Sequence, residues 1–267
     1  RAVDFMVTYL EVGMTREVPT VKSKAGGALV CVGRQLARKS KTGKLTPVKH
    51  GKLLGTTAAG GRKRSTAVFQ QRLKDFERRS ARIRRFRRAG GNATTLNATS
   101  SLPAVTDGAE TQGVAPSVVN TLRSKVALAS SPDTFGRNVD ATFTALEANG
   151  TRIDPMHSTM ATTVHRWATA AWEQWLPLDQ MIDAWERFRE AKPALRRRIK
   201  RIWKLISGPT GATTQSAKEL DWTMESSTSF RDDVGVLWSV THNSPHAIRK
   251  ALGQAVERWR LRRVARS

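Results

Sequence analysis

Two neighbouring aspartates near the C-terminal end are the first candidates for catalytic chemistry in this sequence. They stand in Phe230-Arg231-Asp232-Asp233, and paired aspartates after an aromatic residue hold two metal ions in many polymerases. Such a motif requires a hairpin with apolar strands on both sides, whereas the polar run 225–229 precedes it here. The sequence therefore favours a solvated acidic turn or a helix cap over a metal site.

The histidines do not form a better metal site. His242 and His246 have the spacing of two ligands on one helix face, but Ser244-Pro245 between them predicts that a helix begins there. His157 and His165 lie eight residues apart with no cysteine or acidic cluster nearby. These two are interpreted as helix-surface residues, and no metal site is predicted.

Phosphate binding has stronger support, beginning at residues 60–65, Gly-Gly-Arg-Lys-Arg-Ser. This segment is too short for a P-loop, but paired glycines let a backbone approach closely, and the helix that follows offers free N–H groups to an anion. That helix, predicted over 66–89, has an arginine-rich face opposite its apolar stripe. The residues expected to contact phosphates are Arg62, Lys63, Arg64, Arg78, Arg79, Arg82, Arg85 and Arg88.

The overall charge points to the same kind of partner. The 267 residues contain 46 Lys and Arg against 22 Asp and Glu, a net charge of +24, and such an imbalance indicates a polyanion. Residues 1–88 hold 23 basic and 5 acidic side chains, residues 89–180 hold 5 and 8, and residues 181–267 hold 18 and 9. Further basic runs at 196–201 and 258–263 are candidate nucleic-acid contacts or nuclear-import signals.

Composition also excludes several classes of protein. With 39% hydrophobic residues the chain can bury a core and is not wholly disordered. The single Cys31 excludes a disulfide framework and a zinc site built on two thiolates. No apolar run is long enough to span a bilayer, so no membrane partner is predicted. Because the chain begins with Arg1 and has no leader pattern, we expect a fragment of a longer nuclear or cytoplasmic protein.

The elements that must position the basic residues begin with short, mixed structure. Periodicity predicts a helix over 2–13, a strand over 18–21, a helix over 28–39 and extended pieces at 45–48 and 53–57. The helix over 66–89 is the clearest element, with Ser65 as its expected N-cap and Gly90-Gly91 at its end. Its inward stripe consists of Val68, Phe69, Leu73, Phe76 and Ile83.

The half of the chain after residue 115 is predicted to be nearly all helix. Helices are expected over 116–129, over 138–149, from Asp154-Pro155 to about 176, from 179 to 206 with a break or kink at Pro193, and from Ser244-Pro245 onwards. Seven of the eight tryptophans lie on or beside these helices. A base-stacking platform is possible, but tryptophan at helical spacing favours a core position.

The order of these segments resembles the non-LTR retrotransposon reverse transcriptases. Tyr9–Met14 and Val18–Lys24 resemble the last palm element, and Lys52–Thr57 resembles the primer-grip strand. Residues 60–64 and the arginine-rich helix resemble the entry to the thumb. Later segments that are similar to the family are Leu102–Gly108, Gly113-Val114, Trp203, Gly208-Pro209, Asp233–Gly235 and Ser244-Pro245.

This resemblance implies roles for a few residues. Lys22 or Lys24 would be the palm lysine near the leaving pyrophosphate, and Leu53, Leu54 and Gly55 would position the primer 3′ end. The palm segments that carry the metal-binding aspartates would precede Arg1. We therefore expect no complete catalytic site, no metal or cofactor in this chain, and Mg²⁺ only in an intact polymerase. Leu53 replaces an aromatic residue and Asp107 a tyrosine, which suggests a decayed copy.

The sequence thus predicts a mostly α protein with a small α/β part at its N-terminal end. Residues 1–58 are a palm remnant, 59–114 a thumb-like basic helical segment and 115–267 a helical C-terminal domain. The predicted function is that of a C-terminal reverse transcriptase fragment that binds RNA or an RNA–DNA duplex, inactive as a polymerase by itself. Its other partner would be the missing N-terminal polymerase segments of the same polyprotein. The alternatives are a stand-alone basic RNA- or DNA-binding module and a helical protein–protein scaffold.

Overall fold

The computed structural model of the chain describes residues 50–53, 56–59, 66–132, 136–198, 202–204, 206 and 208–266, with the backbone alone at 50–59, 191–198 and 204. Several predictions lie outside the described residues. These are the elements predicted within 1–48, together with Lys22 and Lys24, and the segment 60–65 with Arg62, Lys63 and Arg64.

A short hairpin precedes the helical part of the described chain. Strand β1, His50–Leu53, pairs antiparallel with β2, Thr56–Ala59. The extended piece predicted over 53–57 is wrong as a single strand, because the chain reverses between Leu53 and Thr56. Leu53 ends β1, while Leu54 and Gly55 lie outside the described residues.

The remainder of the described chain is mainly helical, as predicted. Its α-helices are α1 Ala67–Arg88, α2 Ala93–Leu96, α3 Leu102–Thr106, α4 Ala109–Gln112, α5 Pro116–Ser130, α6 Val139–Leu146, α7 Thr162–Trp172, α8 Leu178–Arg198, α9 Pro209–Glu219 and α10 Pro245–Val264. Two π-helical turns, Asn97–Ser101 and His157–Ala161, lead into α3 and α7, and a 3₁₀ turn covers Ile202–Lys204.

Helix α1 forms where its apolar stripe predicts it. Phe76 is fully buried and Ile83 nearly so, and Phe69 and Leu73 pack beside them. The helix ends as predicted at Gly90, whose positive φ of 87° allows the Gly91 N–H to donate to the Phe86 carbonyl. It begins one residue later than the Ser65 cap implied, after Thr66, whose side chain makes no capping bond.

The core that holds α1 continues into the C-terminal part of the chain. Phe76 packs in one cluster with Leu102 and Val105 of α3 and Leu122 and Val126 of α5. This cluster crosses residues 114/115, where the sequence analysis placed a domain boundary. Helix α1 is therefore seated on the same core as α5.

The prediction of almost continuous helix after residue 115 is wrong in the region 223–239. There β3 Thr223–Ser226, β4 Ser229–Arg231 and β5 Leu237–Ser239 form an antiparallel sheet in that order. Each strand has only three or four residues, and among them Met224 and Phe230 are buried. A two-residue alternation needs a longer run than this to be read from sequence.

Two prolines also act differently from the prediction. Helix α8 continues through residue 193, so the break expected at Pro193 is wrong, although a proline removes one i→i−4 hydrogen bond. Pro209, expected to end a helix, occupies the first position of α9, where its missing N–H has no cost. Pro116 and Pro245 occupy the same position in α5 and α10, as predicted.

The largest core cluster joins α7, α9, α10 and the sheet. Trp222 and Trp167 belong to it, which confirms the core interpretation for these two tryptophans. Trp172 and Trp175, at the end of α7, are instead 44% and 54% exposed. None of the described helices is both long enough and apolar enough to cross a membrane.

Candidate nucleic-acid interface

The candidate interface is the solvent-facing side of α1. Residues 78–88 contain seven arginines and no acidic residue. Eleven helical residues extend over about 16 Å, and a DNA duplex carries about ten phosphate charges over that length. The linear charge density of this helix segment is therefore close to that of a duplex, with the opposite sign.

The core fixes which arginines face solvent. At 3.6 residues per turn, Lys74, Arg78, Arg82 and Arg85 lie within about 60° of the direction opposite buried Phe76, and all four side chains are exposed. We call these four residues the cationic face. Because the buried stripe prevents α1 from rotating, the cationic face is presented to solvent as one row.

Acidic side chains near α1 are largely engaged at its N-terminal half. Arg72 pairs with Asp107 at 2.6 Å, and Glu77 pairs with Lys125 at 2.9 Å. Asp75 lies 3.7 Å from Arg78. Within the described part of the chain no carboxylate pairs with Arg82 or Arg85, so their charge is available to an external anion.

The flanking arginines of the prediction differ in exposure. Arg88 is exposed in the last helical turn, whereas Arg79 is half-buried. Arg85, Arg87 and Arg88 all stand in that last turn, where the negative end of the helix dipole stabilises positive charge. The fold thus brings together all the predicted arginines of α1 on one element, with Arg79 at the border of the core.

Sequence reasoning missed a buried network of charges beneath the other helices. The Arg123 guanidinium, 2% exposed, donates to both carboxylate oxygens of Asp154 at 2.9 Å and to Asp140 at 2.6 Å. It also stacks over the rings of Phe143 and Trp259, at 5.2 and 4.8 Å from their centroids. A single Arg among apolar α5 residues is the one sequence signal that could have indicated it.

Glu147 extends this network to α10. It accepts hydrogen bonds from the backbone N–H groups of Ile153 and Asp154, from His157 Nε2 and from Arg260. Burial by itself would raise the pKa of Glu147, but the hydrogen bond and charge of His157 and the charge of Arg260 lower that pKa to about 2. His157 is buried, so its interpretation as a helix-surface residue is wrong.

The basic run 258–263 is mainly used inside the molecule. Arg258 and Arg262 both bind Asp233, at 2.6 and 3.0 Å, and Arg263 binds Asp140 at 2.9 Å. Arg260 is buried and bonded to Glu147. Intramolecular ion pairs therefore account for these four arginines, and this run does not form a second cationic face.

The paired aspartates 232 and 233 lie in the turn between β4 and β5. Asp232 accepts from the N–H groups of Val234 and Val236 and from Trp238 Nε1. Burial would raise the pKa of Asp233, but its hydrogen bonds with Arg258 and Arg262 lower that pKa to about 2. The acidic turn is confirmed, its predicted solvation is wrong, and both carboxylates are occupied by protein donors.

The described residues do not form a metal site. Among them no group of three or more His, Cys, Asp or Glu side chains is placed to hold a metal ion. His242 Nδ1 instead lies within hydrogen-bond distance of the hydroxyls of Ser239 and Thr241.

The sequence matches no protein-family model, no curated protein and no solved structure. Its function is therefore inferred from its own residues and their geometry.

Proposed function

We propose that this protein binds nucleic acid through the sugar–phosphate backbone, with the cationic face of α1 as the principal contact. The observation that carries the proposal is the exposed row of Lys74, Arg78, Arg82 and Arg85 on a helix held by its core. Cations that neutralise phosphates release condensed counterions, and this release drives binding without reading sequence. The partner is RNA or an RNA–DNA duplex.

The concentration of charge in α1 supports this function over simple solvation. Nine basic and two acidic side chains give the helix a net charge of +7 over 22 residues. Repulsion within such a helix destabilises the free protein, and a bound polyanion relieves it. The arginines of the run 258–263 differ from those of α1, because they form ion pairs with carboxylates of the protein itself.

Within this proposal the chain acts as the C-terminal part of a reverse transcriptase. Residues 1–58 would be the end of the palm, with Lys22 or Lys24 near the pyrophosphate and Leu53, Leu54 and Gly55 at the primer. Arg62, Lys63, Arg64 and α1 would form the thumb contact with template and primer. The support for this assignment is the order of the segments that resemble that family.

The test is charge reversal on the cationic face. Arg78→Glu, Arg82→Glu and Arg85→Glu together should weaken binding to an RNA–DNA duplex at least tenfold, because three attractive contacts become repulsive. Fluorescence anisotropy with a labelled duplex measures the affinity. Far-ultraviolet circular dichroism should be unchanged, since all three side chains are exposed.

A matched control separates a local contact from total charge. Lys218→Glu, Lys250→Glu and Arg266→Glu change the net charge equally at exposed positions on and beyond other helices. This control should bind within about threefold of the original chain, since screening limits the effect of distant charges. Equal weakening in both triple variants would remove α1 as the site.

The second candidate, a protein–protein scaffold, is favoured by a different observation. Between α7 and α8 the exposed apolar residues are Trp172, Trp175, Leu176, Leu178 and Ile182. Contiguous exposed apolar side chains are typical of interaction surfaces. Tryptophan fluorescence distinguishes the candidates: a response to concentration but not to oligonucleotide would favour the scaffold.

A further inference from the structure

A small cavity lies between the start of α7 and the middle of α10, away from the cationic face. Its volume is about 170 Å³, and the polar residues of its lining are Arg152, His157, Ser158, Thr162, His165 and Arg249. A water molecule occupies about 30 Å³ of liquid, so the cavity has room for a group of several heavy atoms. The lining combines cations and hydroxyls.

The arginines of this cavity carry positive charge at its rim. Arg152 and Arg249 are exposed at its rim, and neither pairs with a carboxylate among the described residues. No carboxylate belongs to the lining. This arrangement contrasts with the buried network next to it, where every arginine has an acidic partner.

The pKa of His165 reflects both its burial and the charges around the cavity. Burial lowers its pKa, the charges of Arg249 and Arg166 lower it further with a contribution from His246, and Glu173 opposes them. Burial disfavours charge of either sign, so only the contribution of Arg249 and Arg166 bears on the ligand: these two cations favour an anion beside the imidazole.

The absence of a side chain at Gly253 gives the Arg152 guanidinium its place in the cavity. A Cβ at residue 253 would lie 2.3 Å from Arg152 Nη2 and 2.8 Å from its Cζ, so the guanidinium rests directly on the glycine of α10. The opposite wall begins with the π-helical turn His157–Ala161, a feature that is frequent at functional sites.

One polar atom in the wall has no partner. His157 Nε2 is bonded to the Glu147 carboxylate at 3.2 Å, while His157 Nδ1 is buried without a hydrogen-bond partner among the described residues. Buried polar atoms are rarely left unsatisfied. The protein's own groups therefore leave one polar atom of a lining residue unsatisfied.

We propose that this cavity is a binding site for a phosphate group, held by Arg152 and Arg249 with His165 at its side. Guanidinium groups bind phosphate oxygens with charge-assisted hydrogen bonds, and two arginines that line one cavity suit a dianion. The group is either free phosphate or the terminal phosphate of a nucleic-acid strand. This site is separate from the cationic face and does not depend on it.

Calorimetry with inorganic phosphate at constant ionic strength tests the site in the full chain. Saturable binding is expected, and Arg249→Gln should weaken it about tenfold or more, as loss of a charged hydrogen bond does. The matched control, Lys250→Gln, removes the same charge from the next residue, which is exposed and does not line the cavity. It should change affinity less than twofold.

Two further measurements distinguish loss of the binding site from loss of folding. Gly253→Ala should displace the Arg152 guanidinium and weaken phosphate binding in a chain whose circular dichroism is unchanged. The His165 imidazole, followed by NMR, should show a higher pKa when phosphate is bound. Absence of saturable binding, or equal loss in Arg249→Gln and Lys250→Gln, would overturn the proposal.

A second arm identifies the source of the phosphate. In the chain with Arg78, Arg82 and Arg85 replaced by Glu, a 5′-phosphorylated oligonucleotide is compared with its 5′-hydroxyl form. Preference for the phosphorylated strand assigns the site to a strand end, and equal affinity with positive calorimetry assigns it to free phosphate. Because the cationic face is disabled here, this result stands apart from the test of the proposed function.

Discussion

Arg123 lies in an environment that is unusual for an arginine, since its side chain is only 2% exposed. A buried charge is stable only when partners replace its lost hydration, and Arg123 has two carboxylates and two aromatic rings around it. Removal of Arg123 would leave the Asp154 carboxylate without this ion pair, and Asp154 is fully buried, so the folded state would be destabilised.

We therefore expect Arg123→Met to lower the free energy of unfolding by about 3–5 kcal/mol, the usual cost of breaking a buried ion pair from one side. Arg258→Met is the control, because Asp233 keeps Arg262 as its partner; its expected cost is about 1 kcal/mol. Urea unfolding followed by tryptophan fluorescence measures both. A smaller loss in Arg123→Met than in Arg258→Met would contradict the structural role assigned to Arg123.

Gly113 is required by conformation and by packing together. Its φ of 65° and ψ of 170° belong to a region essentially restricted to glycine, and a Cβ would lie 2.7 Å from the Trp203 ring and 3.2 Å from Ala212 Cβ. Gly113→Ala should cost about 3 kcal/mol or more. Gly150→Ala, with φ of 78° and open space around it, should cost only about 1 kcal/mol; equal melting temperatures would show that packing at Gly113 is unimportant.

At the scale of the element, α1 divides its two faces between two tasks. The buried stripe attaches it to α3 and α5, and the cationic face extends into solvent. Sequence periodicity predicted both faces because core residues recur every three or four positions along one side. Even so, Arg79 is at the border of the core, since its exposure depends on the neighbouring helices rather than on α1 itself.

The salt dependence of binding measures how many phosphates α1 neutralises. For a DNA duplex the slope of log K against log salt is about −0.9 for each phosphate contacted. Removing three contacts, with Arg78, Arg82 and Arg85 replaced by Gln, should make the slope less negative by about 3. Equilibrium titrations at several salt concentrations give this slope; an unchanged slope would mean that these side chains do not contact phosphate.

At the scale of the whole molecule, charge couples folding to pH. The folded state keeps Glu147 ionised down to a pKa of about 2, whereas the unfolded chain takes up this proton near its ordinary pKa of 4.5. The unfolded state therefore binds more protons in acid, so stability present above pH 5 is lost between about pH 5 and 2.

The contribution of Glu147 to this loss is about 3 kcal/mol, and Asp233 acts in the same direction. Urea midpoints measured from pH 7 to pH 3 should therefore fall. The Glu147→Gln variant should be less stable than the original chain at pH 7. Its free energy of unfolding should fall less on acidification, because a glutamine side chain takes up no proton. Parallel curves for the two chains would show that Glu147 is not the group responsible.

The reverse transcriptase assignment makes a prediction for the whole chain as well. The purified chain should incorporate no dNTP on a primed RNA template with Mg²⁺, because the resemblance assigns none of the metal-binding aspartates to these 267 residues. An intact polymerase assayed in parallel is the control. Incorporation by the chain alone would contradict the assignment.

Local sequence patterns were enough to predict the helical class, the end of α1 and its start to within one residue, the Pro-initiated helices α5 and α10, and the sign and place of the charge. These follow from local interactions: helical periodicity, capping and covalent composition act within a few residues of one another. Three-residue strands and the helix begun by Pro209 carry too few local signals, so they were missed.

Which of the charged side chains face solvent unpaired depends instead on contacts between distant segments. The basic runs 78–88 and 258–263 are similar in sequence but differ in their ion pairs. The arginines of the second run pair with Asp233, Glu147 and Asp140, which lie far away in the sequence. Carboxylates separated by up to 123 positions from the arginines they bind leave no trace in local sequence. Burial and pairing depend on contacts between distant segments, and these exist only once the chain has folded.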